Sequence, residues 1–224
     1  MSYELVLLNG KIHTMDEADR VASSVTIRAG LIASIDEGNT AFDPGAKVID
    51  LQGRTVIPGL IDNHIHFLRT GLIPGHDMRE METAFTIEEA LSVIQARAKT
   101  APKGELLSAL GGIHPDQFDE KRYPTMAELN DAAPDHPVYL SISNWGPGAS
   151  NALGKELIES LGVPVGEDGI VPQGKETVDA WNALAARHTY KDTLRQTSNQ
   201  MAFALSKGLT NVFDMGGTIP AGGW

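Results

Sequence analysis

The sequence predicts an α/β chain in two parts, a small β-rich N-terminal portion followed by alternating strands and helices. Three observations support this. Short apolar runs separated by turn residues fill the first 57 residues, and Pro58-Gly59 then punctuates the chain. Beyond that point strand-length apolar runs alternate with helix-length segments that open on capping residues, the pattern of a parallel sheet, open or closed.

Taken in order, Glu4 to Leu8 and Lys11 to Thr14 flank Asn9-Gly10, a pair suited to a tight hairpin turn. Val21 to Arg28 and Leu31 to Ile35 flank Ala29-Gly30, a second hairpin candidate. Lys47 to Asp50 and Thr55 to Ile57 are split by Gln52-Gly53. This spacing suits a small β-sheet or half-sandwich. Leu60 to His66 opens the second part. Thr86 to Ala101 reads as a helix, with Thr86 and Glu89 as a capping box and Ile87, Leu91 and Ile94 as one apolar stripe. Leu106 to Leu110 reads as a strand, Thr125 with Glu128 as a second capping box, and Pro137 to Ile142 as a strand bounded by Gly146, Pro147 and Gly148. Glu176 to Lys207 reads as helix in two pieces with Gly208 as its stop, and Leu209 to Asp214 as the next strand. The Gly- and Pro-rich stretch GGTIPAGGW after Met215 then reads as a loop interrupted before its next element.

Composition narrows the function classes. Hydrophobic residues at 42% and charged residues at 21% match a folded soluble chain and argue against disorder. A net charge of −11, spread along the chain, argues against nucleic acid as a partner, because phosphate binding needs a basic face. With no cysteine, a metal would have to be held by His, Asp, Glu or a modified Lys. No signal-peptide pattern and no long apolar run occurs, so the expected location is cytoplasmic, without membrane contact.

The chemistry concentrates at His64 and His66. Residues two apart on a strand share a face, so both imidazoles would project together and could bind one divalent metal. Taken alone, such a pair is as readily a chance pair of core or surface histidines. The apolar run Leu60-Ile61 behind Pro-Gly places it at the end of a buried strand, where barrel active sites lie.

The segment TVIPGLIDNHIH closely resembles the hallmark first barrel strand of the amidohydrolase superfamily, which follows that superfamily's small N-terminal β-sandwich. GGIHPDQF (111–118), YPTMAELNDAAPDHPVYL (123–140), Asn151 and KGLTNVFDMGG (207–217) look like later landmarks of amidohydrolase family 3, the YtcJ-like group. The resemblance implies a partial (β/α)8 TIM barrel over residues 58–224 behind a sandwich portion over 1–57, with a family-specific insertion at about 105–200. It implies a hydrolase of carbon–nitrogen bonds other than peptide bonds, using water activated by one or two divalent metals, usually zinc, on a small-molecule amide. Of the family's ligands, His64 and His66 alone map onto this sequence. The bridging Lys, two later His and the catalytic Asp would lie beyond Trp224, so no catalytic residue is identified here. The sequence departs from the family at Gly146, where many members have His, and at Gly112-Ile113-His114, where many have Gly-Trp-Asp.

The resemblance also implies an N-terminal portion, since the residues after Ile57 fall short of the roughly 200–250 of a complete barrel. The expected partner is then the missing C-terminal half or another copy of the chain, and the chain alone is expected to be inactive. A rival expectation is a finished non-catalytic module or one half of a split enzyme. Further candidates are weaker. Asp62 shares the strand parity of the histidines and reads as a structural carboxylate near the metal. His114, Trp145 and Asp214 are candidates for the substrate pocket, against a solvated loop histidine, a loop-anchoring aromatic and a capping carboxylate respectively. His13, His76, His136 and His188 follow no ligand spacing.

Overall fold

Three connections of the N-terminal unit carry the chain from one small sheet to another. The computed structural model describes residues 4–36, 43–68, 78–111, 113–143 and 145–215; His76, Gly112 and the loop after Met215 lie outside the described residues. The chain divides into two compact units, Met1–Ile61 and Asp62–Trp224. In the first, β1 (Glu4–Leu8), β4 (Ser24–Arg28), β5 (Leu31–Asp36) and β6 (Lys47–Asp50) form one sheet in the order β5-β4-β1-β6. A second sheet holds β2 (Lys11–His13), β3 (Val21–Ala22) and β7 (Thr55–Val56) in the order β3-β2-β7.

The expected hairpin at Asn9-Gly10 is therefore not formed. Asn9 does take the left-handed backbone, with φ 56°, but the turn carries the chain from β1 in one sheet to β2 in the other. The connection from β6 to β7 makes the same crossing beside it. The Leu51 N–H donates to the Leu8 carbonyl (2.8 Å) and the Gly53 N–H to the Asn9 carbonyl (2.7 Å). Two parallel pairs, β1 with β6 and β2 with β7, thus continue through one bend. Ala29-Gly30 does close a hairpin: Arg28 faces Leu31, and both turn residues have positive φ (50° and 81°), as a two-residue primed turn requires. Ile12, Ala22, Val25 and Leu51 are buried between these strands, with Leu7, Ile35, Ile49 and Val56 packed against them.

The second unit is organised around a four-stranded sheet, β9 (Leu107–Leu110), β10 (Val138–Ser141), β11 (Gly148–Ser150) and β12 (Ile170–Val171), in the order β12-β11-β10-β9. Alternate residues feed two apolar clusters on opposite faces. Leu107, Ala109, Val138 and Leu140 join α1 (Ile87–Ala98) and α2 (Met126–Ala132), whereas Leu110, Tyr139 and Val171 join α3 (Ala152–Ser160) and α4 (Lys175–Ala185). β9, β10 and β11 are buried throughout, which accounts for their largely apolar character.

The sheet is mixed, not parallel throughout. β9 and β10 run parallel, but β11 is antiparallel to both β10 and β12. The loop from Ser141 to Gly148 is too short for a parallel crossover, so the chain must turn back. β11 occupies residues expected to be loop, and its Gly148 is required by packing: a Cβ there would lie 2.5 Å from Tyr139 Cε2.

Asn151 shows how the sequence fixes this layer. Its carboxamide is buried and uses its full capacity: Oδ1 accepts from the N–H groups of Val138 and Gly154 (both 2.8 Å), and Nδ2 donates to the carbonyls of Ala133 (3.3 Å) and His136 (2.8 Å). One side chain thereby caps α3 and ties the end of α2 to β10. The expected box at Thr125 and Glu128 is complete. At Thr86 only half forms, because the Glu89 carboxylate accepts from Phe85 N–H (2.7 Å).

α5 (Tyr190–Ser206) follows and leads through Gly208 (φ 85°) into β13 (Leu209–Asp214). β13 pairs with β8 (Leu60–Ile65) in a separate two-stranded sheet. Among the described residues, no helix is long and apolar enough to cross a membrane.

Candidate metal centre

β8 carries LIDNHI and presents His64 and, just past its end, His66. The two imidazole centroids lie 6.0 Å apart with planes at 87°, and both residues are exposed. Period-two alternation thus puts the rings on one side of the strand, as the spacing predicts. Two rings sharing one tetrahedral ion would hold their centroids roughly 5 Å apart at ordinary zinc–nitrogen distances. The observed separation lies within about 1 Å of that value.

The donor set suits a borderline divalent ion, since neutral imidazoles are good ligands for zinc. Among the described residues it is incomplete: no group of three or more His, Asp or Glu side chains could hold a metal ion.

Backbone restraints surround the pair. Asp62 Oδ1 accepts from the backbone N–H of His64 at 3.0 Å. Ile65 accepts through its carbonyl from Met215 N–H at 2.8 Å, and Asp214 Oδ2 accepts from Leu68 N–H at 2.6 Å. Asp62 thus acts on its own strand, and Asp214 reaches across from β13. The link to Leu68, 146 residues away in sequence, has no local signature.

The remaining candidates make their contacts elsewhere. His114 caps a 3-10 turn, Pro115–Gln117: its Nδ1 accepts from Asp116 N–H (3.1 Å), and its own N–H donates to Gln117 Oε1 (2.8 Å). Trp145 is 60% exposed. Its N–H donates to Ser143 Oγ (3.2 Å) and its carbonyl accepts from Gly174 N–H (3.0 Å). Gly146 is buried, and a Cβ there would lie 2.9 Å from Ile142 Cβ, so any larger residue would need Ile142 to move. His136 is buried with Nδ1 beside the Glu105 carbonyl at 3.1 Å.

With this geometry in place, the comparison with known families is decisive. The model described as the amidohydrolase family matches residues 47–219, a span that includes β8 and β13. The chain belongs to the amidohydrolase family. Among curated relatives, the chain is 29% identical over 158 residues to an N-substituted formamide deformylase from Arthrobacter pascens, covering 69% of the chain and 29% of that protein. It is 26% identical over 235 residues to the protein LONG AFTER FAR-RED 3 of Arabidopsis thaliana (97% and 39%). The putative amidohydrolase YtcJ of Bacillus subtilis is 28% identical over 144 residues (58% and 25%). The chain spans well under half the length of each. An uncharacterised metal-dependent hydrolase from Pyrococcus horikoshii has a similar fold, with a TM-score of 0.54 and 22% identity over 93% of this chain and 42% of that one.

Proposed function

We propose that this chain supplies the first strand and two metal donors of an amidohydrolase (β/α)8 barrel that hydrolyses a small amide. The observation that carries the reading is the pairing of His64 and His66 on one strand face, 6.0 Å apart, inside the region matched by the family. On this reading β8 is the first barrel strand, β13 a neighbouring one, and the two sheets of the first unit the N-terminal sandwich portion. The mixed four-stranded sheet with α2, α3 and α4 is the insertion.

His64 and His66 would hold the ion, with zinc suited to their nitrogen donors. When bound, the ion supplies Lewis acidity for attack of water on an amide carbonyl. Asp62 and Asp214 hold the backbone that carries the donors. The reading calls for further ligands and a proton-transfer group beyond the described residues. Several exposed apolar side chains support that: Leu194, Met201 and Leu205 on α5, and Phe213 on β13. A face of this kind marks a surface that another element covers.

The substrate class is a small carbon–nitrogen compound, and the formamide deformylase relative makes N-substituted formamides the first to try. The test is a zinc-loaded amide panel applied to the chain assembled with the remaining barrel strands, whether in one longer polypeptide or two. Hydrolysis there, lost in His64→Ala and His66→Ala, is the expected result. Full activity in either variant would place the metal elsewhere.

A further inference from the structure

We infer that Asp214 is a positioning residue for the His64–His66 pair, holding the backbone on either side of His66 in the conformation that keeps both imidazoles available to one ion. The inference rests on reading the pair as metal donors, and it assigns to Asp214 a task distinct from lining a substrate pocket.

Two bonds from the end of β13 bracket His66. The Met215 N–H donates to the carbonyl of Ile65, the residue before His66. The Asp214 carboxylate accepts from the N–H of Leu68, two residues after it, at 2.6 Å. A backbone N–H bonded to a carboxylate is charge-assisted and short, and it restrains orientation more than a neutral bond does.

The position of the bond matters as much as its strength. β8 ends at Ile65, and Phe67 and Leu68 already have helical backbone. The strand-to-helix change therefore falls directly on His66. Amides in a first helical turn lack intrahelical partners, and Asp214 satisfies the one at Leu68 from another strand. Without it the backbone after His66 loses this tie to β13, and the ring of His66 is held less firmly against that of His64. Asp62 restrains the His64 amide at 3.0 Å from within β8, so the two donors are held from two directions.

Groups behind the ligands of a metal site typically alter its affinity by about 10–100-fold when removed. The test uses the whole 224-residue chain, titrated with Zn2+ and Co2+ against a competing chelator, in the wild type, Asp214→Ala, Asp214→Asn and His64→Ala. Amide hydrogen exchange at Leu68 and His66 is measured on the same samples. The Asn carbonyl can still accept from Leu68, so Asp214→Asn should stay within about threefold of wild type, with a protected Leu68 amide. Asp214→Ala should lose about tenfold in affinity and expose that amide. An Ala variant with unchanged affinity and a protected Leu68 amide overturns the inference. So does an Asn variant as weak as Ala, which would make the Asp214 carboxylate itself a ligand. If the wild type binds no metal at His64, the donor reading fails. Exchange at Leu68 and His66 then still decides the positioning claim, as it does for Asp214→Asn if the Ala variant does not fold.

Discussion

The Asn151 carboxamide oxygen accepts from the Val138 N–H at 2.8 Å, fastening the start of α3 to the first residue of β10. The same side chain satisfies three further backbone groups, so its removal strands buried donors and acceptors. Asn151→Ala should cost about 2–4 kcal/mol, the sum expected for a lost cap and unsatisfied buried groups. Urea unfolding would show this as a lower midpoint. A loss under about 0.5 kcal/mol would mean that solvent or rearrangement replaces those bonds.

Glu128 sets a pH limit on the same layer. The Arg122 guanidinium clasps it at 2.8 and 2.9 Å, and Thr125 donates to it through N–H and hydroxyl, so its carboxyl is held down at about 2, against an ordinary 4.5. A depressed folded-state pKa contributes stability that is present above the unfolded value and lost as pH falls through the folded one. That contribution should therefore fade between about pH 4.5 and about pH 2. In Glu128→Gln the urea midpoint should fall less steeply over that interval, although the variant is weaker at neutral pH. Identical slopes in the two proteins would contradict the assignment.

α5 has an inverted pattern. Gln196 and Gln200 are buried, whereas Leu194 and Leu205 are 51% and 63% exposed. Gln200 is engaged by Arg79 Nη1 at 3.1 Å, and the Arg79 guanidinium also lies 5.3 Å from the centre of the Phe203 ring. The polar face is thus the one already packed. Leu194→Lys with Leu205→Lys should reduce self-association in sedimentation velocity while changing stability by no more than about 0.5 kcal/mol per site. A large drop in stability would show that these leucines are packed after all.

Much of this architecture was legible because its signals are local. Glu4–Leu8, Lys47–Asp50 and Leu209–Asp214 show strand patterning within their own residues, and Thr125 with Glu128 announces a helix start three residues apart. The His64–His66 spacing survives into the fold for the same reason. What was not legible depends on distant partners. Asn9-Gly10 has the composition of a hairpin turn, yet β1 and β2 each find better partners in different sheets. β11 is Gly-Ala-Ser, a poor strand former, and exists because the short loop after β10 turns the chain back to pair with it, while the Tyr139 ring leaves no room for a Cβ at Gly148. The link from Asp214 to Leu68 could be read only once β13 was seen beside β8.

The pairing of His64 and His66 on one metal is tested most directly by histidine-ring NMR of the 15N-labelled chain during titration with Zn2+. The ring nitrogens of His64 and His66 should shift together, at one stoichiometric equivalent, and the response should vanish in His64→Ala. Shifts confined to His13, His114, His136 or His188, or independent weak responses of His64 and His66, would contradict a shared metal site on this strand.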